Sequence, residues 1–423
     1  MSLVSKQPKT IAETDSTRAN NKGQKKERNQ NQTGHRDYIW KVLVAIGFLI
    51  PLFFFAFFDL MKSNGGFQQD SSELSNSGEI KVKTAAIEST RIEKPSKQPE
   101  TDIIQMESNN YATVTNSTGP VRIQIASDLH IEFFGEDEDL NFLIEPKAPI
   151  LALLGDVGYA CTQQLRKFLL SQCDRFEEVW FLAGNHEYYN HGGTHYSVTE
   201  QDAWLQQVAS ERPNLKYLEK SVIPMWNGNV VVLATTLWSD IPDNYLEEAE
   251  HFLNDYRLSY NHAPSETAPR LLRASETRQW YRDNLNWLQT QLQTIYDQNK
   301  IRAQHQQQGQ HHHHQEQQTK VIVLTHHTPL MIGTSAPQYE GMDSTHCFSS
   351  DLQSLMVHPY SPIDIWACGH THYNFDLALT QNETSSTGNG SSEKLVRVVS
   401  NQRGYQSRPK PDYRADGIVL EIR

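Results

Sequence analysis

The stretch VRIQIASDLH, residues 121–130, decides the fold of this chain. Its first six residues form a short, β-rich apolar run of the kind that builds a buried strand. Asp128 and His130 follow at the end of that strand. In open α/β sheets, ligands bind at the carboxyl ends of the strands. A carboxylate and an imidazole at this place therefore predict a buried sheet with a polar site at its edge.

Four further apolar runs are each followed by Asp, Asn or His side chains. They are PILALL (149–154) before Gly155-Asp156, VWFLA (179–183) before Gly184-Asn185-His186-Glu187, KVIVLT (320–325) before His326-His327, and IDIWAC (363–368) before Gly369-His370-Thr371-His372. In an extended segment, residues i and i+2 point the same way, so Asp128 and His130 are expected to present two ligands together. The same holds for His370 and His372. The glycines in these motifs let the backbone turn tightly. Five segments are thus expected to deliver oxygen and nitrogen ligands to one edge.

The rest of this region also alternates between strand and helix patterns. Further strands are predicted at 230–236, 395–400 and 417–422. Apolar side chains at helical spacing predict three helices, marked by Leu165, Phe168 and Leu169; by Tyr245, Ala249, Phe252, Leu253 and Tyr256; and by Tyr281, Leu285, Leu288, Leu292 and Ile295. Strands that alternate with helices predict an α/β domain over residues 119–423.

Two polar inserts interrupt the predicted domain. Residues 303–318, AQHQQQGQHHHHQEQQ, form a low-complexity tract. Its four consecutive histidines are interpreted as part of a solvated loop and not as a metal site, because no scaffold orients them. Residues 381–393, QNETSSTGNGSSE, are interpreted as a polar loop between two late strands.

The first 118 residues lie outside this pattern. Residues 1–37 are polar and are predicted to be a disordered tail, and residues 62–118 are predicted to be a flexible stalk. Between them, residues 42–58 contain no charge, and the segment 38–61 approaches the ~20 residues that a bilayer needs. A buried core helix would show a polar face within a domain, and a cleaved signal peptide would need a small-x-small site. An uncleaved transmembrane signal anchor fits this segment better.

The charges beside this segment predict its orientation. Six basic residues closely precede the uncharged run 42–58, and one basic residue, Lys62, follows it; the six are Lys22, Lys25, Lys26, Arg28, Arg36 and Lys41. The positive-inside rule then predicts a type II protein, with a cytosolic N-terminus and a lumenal or extracellular catalytic domain.

Composition limits the remaining possibilities. Hydrophobic residues make up 37% of the chain and the mean hydropathy is -0.61, values that indicate long polar segments beside an ordinary core. The net charge is -12, so no general electrostatic grip on nucleic acid is expected. The four cysteines are too scattered to predict a disulfide framework.

Taken in order, the five motifs resemble the calcineurin-like metallophosphoesterase superfamily, whose pattern runs Asp-x-His, Gly-Asp, Gly-Asn-His-Glu/Asp, His and Gly-His-x-His. The stretches GNHEYY (184–189), TTLWS (235–239), HHTP (326–329) and SNQRGY (400–405) are similar to a small, poorly characterised branch of it. The resemblance covers about residues 119–423 and implies a layered α/β/β/α sandwich.

The resemblance also implies a binuclear metal site. Asp128, His130 and His372 would hold one ion. Asn185, His326 and His370 would hold the other, and Asp156 would bridge both. Mixed His, Asp and Asn ligation suits Mn, Fe, Zn or Ni, and the sequence does not choose among them. Two such ions lower the pKa of a bridging water, so that hydroxide can attack phosphorus in line.

Four more residues are candidates for supporting roles. By the resemblance, His186 protonates the leaving oxygen; the alternative is a structural histidine. Glu187 is expected to orient a ligand or the His186 ring. His327 adjoins a ligand position and could in principle replace His326. Arg403 is a candidate for binding the substrate phosphate, or else for a structural ion pair.

The predicted function is metal-dependent hydrolysis of a phosphomonoester or phosphodiester. Protein phosphatases of the superfamily carry arginines beside Gly-Asp and Gly-Asn-His-Glu, but here residues 157–160 are VGYA and Ala183 precedes Gly184. That difference weakens the case for a phosphoprotein substrate, because Arg orients phosphate by paired hydrogen bonds. The alternative is a non-catalytic, membrane-anchored module that binds metal or phosphate.

Overall fold

The computed structural model describes residues 119–262, 268–307, 318–381 and 394–422. The predicted tail, transmembrane segment and stalk, at 1–37, 38–61 and 62–118, lie outside these residues. So do most of the low-complexity tract and of the second polar insert. Within the described ranges, no helix combines the length and the apolar character needed to cross a membrane.

The described residues contain thirteen strands and six α-helices. The strands are β1 (Val121–Ala126), β2 (Ile150–Leu154), β3 (Glu178–Leu182), β4 (Leu215–Tyr217), β5 (Ser221–Met225), β6 (Val230–Ala234), β7 (Tyr260–Asn261), β8 (Arg270–Leu271), β9 (Lys320–Leu324), β10 (Ile363–Cys368), β11 (Asp376–Thr380), β12 (Leu395–Ser400) and β13 (Ile418–Ile422). The helices are α1 (Gln163–Cys173), α2 (Val198–Ala209), α3 (Leu246–Phe252), α4 (Asp255–Leu258), α5 (Ala274–Gln307) and α6 (Gln353–Val357).

Two sheets hold most of these strands. The first has the order β13-β1-β2-β3-β4, and the second has the order β11-β12-β10-β9-β6-β5. Strands β1 to β4 are parallel, as are β6, β9, β10 and β12. The antiparallel strands β13, β5 and β11 close three of the edges. The parallel strands of each sheet therefore direct their carboxyl ends to one side, where ligands are expected to bind.

The two faces of each strand pack against different layers. In β2, Ile150, Ala152 and Leu154 belong to a core shared with the second sheet, whereas Leu151 and Leu153 face a helix-covered core. That outer core includes side chains of α1 and α2, and Leu288 and Leu292 of α5. Because side chains alternate across a strand, a strand buried on both faces reads as a continuous apolar run. The result is the predicted α/β/β/α arrangement.

All eight predicted strand runs are strands, but β4, β5, β11 and the β7–β8 pair were not predicted. Strand β4 has three residues. Strand β5 is an edge strand that contains Pro224, and Pro is tolerated mainly at such edges. Strand β11 is also an edge strand, and its residues alternate between exposed and half-buried. These strands lack the continuous apolar run on which the prediction relied.

The predicted helices differ from the observed ones in two places. The second predicted helix breaks at Leu253, which is extended, and resumes as α4. The third helix continues to Gln307. Residues 303–307 of the low-complexity tract are therefore helical, and the loop predicted for them is wrong. Gln and Ala are good helix formers, and α5 continues into them.

Candidate metal centre

The five predicted motifs meet at one edge of the molecule. The Asp128 amide donates to the Gly155 carbonyl oxygen at 3.0 Å, and the Gly369 amide donates to that of His326 at 2.9 Å. The two sheets are joined directly, because His326 Nδ1 lies 2.8 Å from the carbonyl oxygen of Leu154 at the end of β2. Backbone and side-chain bonds thus tie the strand ends into one site.

At five of the seven candidate ligands the backbone is left-handed, so the extended geometry predicted for the two i, i+2 pairs is wrong. Asp128 and His130 have φ of 54° and 50°, and Asp156 has 52°. His370 and His372 have φ of 78° and 50°. Each such residue costs about 1–3 kcal/mol of backbone strain and persists only because its surroundings hold it there. One holding contact is the Asp128 carboxylate, whose oxygens lie 3.0 and 3.1 Å from the His370 amide.

The motif glycines serve two purposes. Gly155 has φ of 82°, which L side chains rarely adopt. At Gly184 and Gly369 the reason is space. A Cβ on Gly184 would lie 2.6 Å from His326 Nε2, and one on Gly369 would lie 2.7 Å from Asp128 Oδ2. Side chains of the site therefore occupy the room that these glycines leave.

The first group of donor atoms combines Asp128, His130, Asp156 and His372, whose ligand atoms all lie within 4.8 Å of one another. The Nε2 atoms of His130 and His372 are 2.8 Å apart. His372 Nε2 is 3.3 Å from Asp128 Oδ1, and His130 Nε2 is 3.8 Å from Asp156 Oδ2. This is the first predicted ligand set together with the predicted bridging aspartate.

The second group combines Asp156, His326 and His370. His326 Nε2 is 3.3 Å from Asp156 Oδ1 and 3.1 Å from His370 Nδ1. Asn185 joins this group, because its Oδ1 lies 3.1 Å from His326 Nε2. Asp156 contributes one carboxylate oxygen to each group. The structure therefore brings together all seven residues proposed as metal ligands.

The chemistry of these donors fits metal ions. The Leu154 carbonyl can only accept a hydrogen bond, so His326 carries its proton on Nδ1 and, when neutral, has a lone pair on Nε2. That lone pair faces an amide oxygen, a carboxylate oxygen and an imidazole nitrogen within 3.3 Å. A cation would satisfy these converging acceptors. Burial alone would lower the pKa of His326, but Asp156 raises it to about 9, which also reflects surplus negative charge here.

His186 stands beside the first group, and Glu132 links it to His130. One Glu132 oxygen lies 2.9 Å from His186 Nδ1 and 3.0 Å from His130 Nδ1. The Glu132 side chain is 4% exposed. Burial would raise its pKa, but the two histidines hold the pKa below its ordinary value, so Glu132 is a carboxylate. Burial would lower the pKa of His186, and Asp156 and Glu132 raise it to about 9.

Glu132 was not predicted from the sequence. The signal was its position two residues after His130, which extends the first motif to Asp-x-His-x-Glu. Asp255 was also missed. Asp255 is buried on α4, close enough to His186 for the two side chains to interact electrostatically. Burial raises the pKa of Asp255 to about 6, and His186 opposes that increase. No motif marks Asp255, because α4 comes from a separate part of the chain.

Glu187 was expected to orient either a ligand or the His186 ring. Its hydrogen bonds instead go to the backbone of the turns that follow β2 and β3. Its carboxyl oxygens accept hydrogen bonds from the amides of Asp156, Val157, Gly158 and Gly184, at 2.6–3.2 Å. Burial and the nearby Asp156 charge raise the pKa of Glu187 to about 7. This buried side chain therefore joins the turn after β2 to the turn after β3, which positions both ligand-bearing segments.

The remaining two candidates lie outside the donor groups. His327 is buried, and its ring centre is 4.1 Å from that of His370 and 5.2 Å from that of Trp238. It packs behind a ligand, whereas His326 faces the site. The Arg403 guanidinium lies 4.9 Å from the centre of the Phe134 ring, and Nη1 donates to the Gly404 carbonyl at 3.3 Å. The structure does not bring Arg403 into contact with the ligand histidines.

One comparison with known proteins shows the family to which this chain belongs. A family model described as calcineurin-like phosphoesterase matches residues 121–374, more than half of the chain. An uncharacterized protein, L509, from Acanthamoeba polyphaga mimivirus is 25% identical over 265 residues, which cover 59% of this chain and 84% of that protein. A solved phosphopantetheinyl hydrolase from Mycobacterium tuberculosis has 15% identity and a TM-score of 0.43, covering 71% of this chain and 95% of that one. This chain belongs to the calcineurin-like phosphoesterase family and is a metallophosphoesterase.

Proposed function

We propose that the protein is a binuclear, metal-dependent hydrolase of phosphoric esters. The observation that carries this proposal is the position of Asp156. Its Oδ1 is 3.3 Å from His326 Nε2 in one donor group, and its Oδ2 is 3.8 Å from His130 Nε2 in the other. Divalent cations bound there would activate water and polarise a phosphoryl oxygen. Mn, Fe, Zn and Ni all suit these donors.

The protein's own residues would orient the phosphate and supply a proton. Glu132 accepts a hydrogen bond from His186 Nδ1, which leaves Nε2, 3.5 Å from the Tyr405 hydroxyl oxygen, as the ring nitrogen that can face a leaving oxygen. With its pKa raised to about 9, His186 carries a proton at neutral pH. It can therefore donate that proton as the P–O bond breaks. Glu187 and the left-handed turns hold the ligands in place before substrate arrives.

The substrate is a phosphorylated compound, either a monoester or a diester. The positions where protein phosphatases of the superfamily carry arginines are occupied by Ala183 and by residues 157–160, VGYA. Arg403 does not compensate, because its guanidinium lies against Phe134. We therefore favour esters other than phosphoproteins. The acidic net charge of -12 also disfavours nucleic acid.

The hydrolase is proposed to be a type II membrane protein. A tail at 1–37, an anchor at 38–61 and a stalk at 62–118 would precede the catalytic domain at 119–423. This proposal rests on the uncharged run 42–58 and on the basic residues before it. Protease protection in sealed microsomes tests the orientation. Cleavage of the catalytic domain from the cytosolic side would contradict it.

An activity panel tests the proposed chemistry. Purified full-length protein should hydrolyse p-nitrophenyl phosphate or bis-p-nitrophenyl phosphate with Mn²⁺. Asp156→Asn and His186→Ala should each lower turnover by orders of magnitude. His358→Ala is the matched control, because His358 is exposed and precedes β10 at the end opposite the site. Full turnover in both site variants would contradict the mechanism. Metal-dependent binding of phosphate without turnover would favour the non-catalytic module instead.

A further inference from the structure

Three aromatic side chains, Phe133, Tyr159 and Tyr405, lie around the candidate acid His186 and its neighbour His130; we call them the aromatic rim. We propose that the rim binds a flat aromatic ring on the leaving group of the substrate. This inference rests on the proposed function, because it assigns the leaving-group side of the same site. It names the substrate class as phosphoric esters of aromatic-ring-bearing alcohols or phenols.

Tyr405 joins the rim to the donor groups. Its hydroxyl oxygen is 3.5 Å from His186 Nε2. Its ring centre is 4.4 Å from that of His130 and 4.6 Å from that of His372, so the ring covers two candidate ligands of the first group. The residue nevertheless remains 40% exposed. A ligand at the metal centre would therefore meet this ring.

Phe133 and Tyr159 extend the aromatic surface. The Phe133 ring packs edge-on against Tyr405, with centres 5.5 Å apart and planes at 84°. Phe133 is 48% exposed although its neighbour Ile131 is buried. The Tyr159 ring is nearly parallel to that of His186, at 26° and 6.3 Å, and is half-buried. Aromatic rings that remain accessible beside a functional site indicate a place for a ligand.

The position of the acid determines which part of the substrate meets the rim. The leaving oxygen must come within hydrogen-bond reach of His186 Nε2 to receive its proton. The group attached to that oxygen then extends from the same point, where Tyr405 is the neighbour on the Nε2 side. The Nδ1 side is occupied by Glu132. The leaving group is thus directed toward aromatic faces and a hydroxyl, which favour a flat π system.

A pair of phosphonates tests this preference without requiring turnover. Benzylphosphonate and cyclohexylmethylphosphonate both replace the leaving oxygen with CH₂, so neither can be hydrolysed at that bond. They present the same anion to the metal centre and rings of similar size. Hydrophobic burial alone would not favour the aromatic ring. Calorimetric titration of full-length protein with Mn²⁺ should give at least about fivefold tighter binding of benzylphosphonate.

Variants assign the preference to the rim. Phe133→Leu and Tyr405→Leu should each reduce the affinity ratio of the two phosphonates toward one, whereas Tyr405→Phe should retain it. Tyr360→Leu is the matched control, because Tyr360 is 53% exposed and precedes β10 at the end opposite the site. An affinity ratio near one in the unmodified protein, or an unchanged ratio in the Phe133→Leu/Tyr405→Leu double variant, would overturn the inference, as would no binding of either compound. Failure of the proposed function shows separately, as no hydrolysis of p-nitrophenyl phosphate with Mn²⁺.

Discussion

Glu132→Gln is expected to slow hydrolysis by about 5- to 30-fold while leaving the fold intact. Glu132 receives hydrogen bonds from two imidazoles, at 2.9 Å from His186 and 3.0 Å from His130. A hydrogen bond to a charged partner contributes about 1.5–3 kcal/mol, and a neutral one about 0.5–1.5. Each bond therefore loses about 1 kcal/mol when the carboxylate becomes an amide. The loss falls on the orientation of His186 and of one ligand.

The same substitution has a cost in stability. Glu132 Oε2 is buried without a hydrogen-bond partner among the described residues. An amide nitrogen at that place would bury two unsatisfied donors, which costs about 1–3 kcal/mol of unfolding free energy. Urea unfolding should show this decrease with an unchanged slope. Activity must therefore be compared under conditions in which both proteins are folded.

The assay compares two substrates that differ in leaving group. If Glu132 acts through His186, its loss should slow phenyl phosphate more than p-nitrophenyl phosphate, because a good leaving group needs less help from an acid. A purely structural role would slow both equally. Glu136→Gln is the control, since Glu136 is exposed in the same loop. Equal effects on the two substrates, or unchanged turnover, would refute the assigned role.

Three further predictions follow from the same geometry. Gly184→Ala should abolish activity, because a Cβ there would lie 2.6 Å from His326 Nε2. Gly135→Ala is the control and should retain activity, because its Cβ would meet no atom closer than 3.9 Å. Metal content and turnover are measured for both variants, and an active Gly184→Ala protein would contradict the predicted steric clash. Leu288→Ala should lower the unfolding free energy by about 2–5 kcal/mol, since Leu288 is 0% exposed; denaturant titration checks this, and a loss below about 1 kcal/mol would contradict its place in the core. In chelator-treated protein, the melting temperature should fall as pH rises from 6.5 to 9. The pKa of His186 and that of His326 are both raised to about 9 in the folded state. The stability that the two protonated histidines contribute below pH 6.5 is therefore lost as their protons leave. Mn²⁺ should flatten that dependence in a pH series of melting curves, and an equally steep decrease with Mn²⁺ would argue against metal binding at His326.

Much of the site was predictable because its residues follow strands. A buried parallel strand is a continuous apolar run, so its carboxyl end can be located in the sequence. Asp128, Asp156 and His326 each follow such a run, and the sheet order then places them at one edge. The strand ends indicated the edge of the sheet, and the resemblance to the calcineurin-like superfamily then implied which seven residues there are the candidate ligands. Edge strands such as β5 and β11 lacked this signal, because only part of each is buried.

The sequence by itself determined the α/β class and the types and order of the candidate ligands. Tertiary structure decided how those ligands point, through left-handed turns at residues such as His130 and His372 that an extended chain would not adopt. It also joined Glu132 to His186, placed the Tyr405 ring beside the candidate ligand His372 and turned Arg403 toward Phe134. The physical reason is that strand identity depends on local apolar pattern. Contacts between loops depend on the packing of segments as far apart as residues 186 and 405.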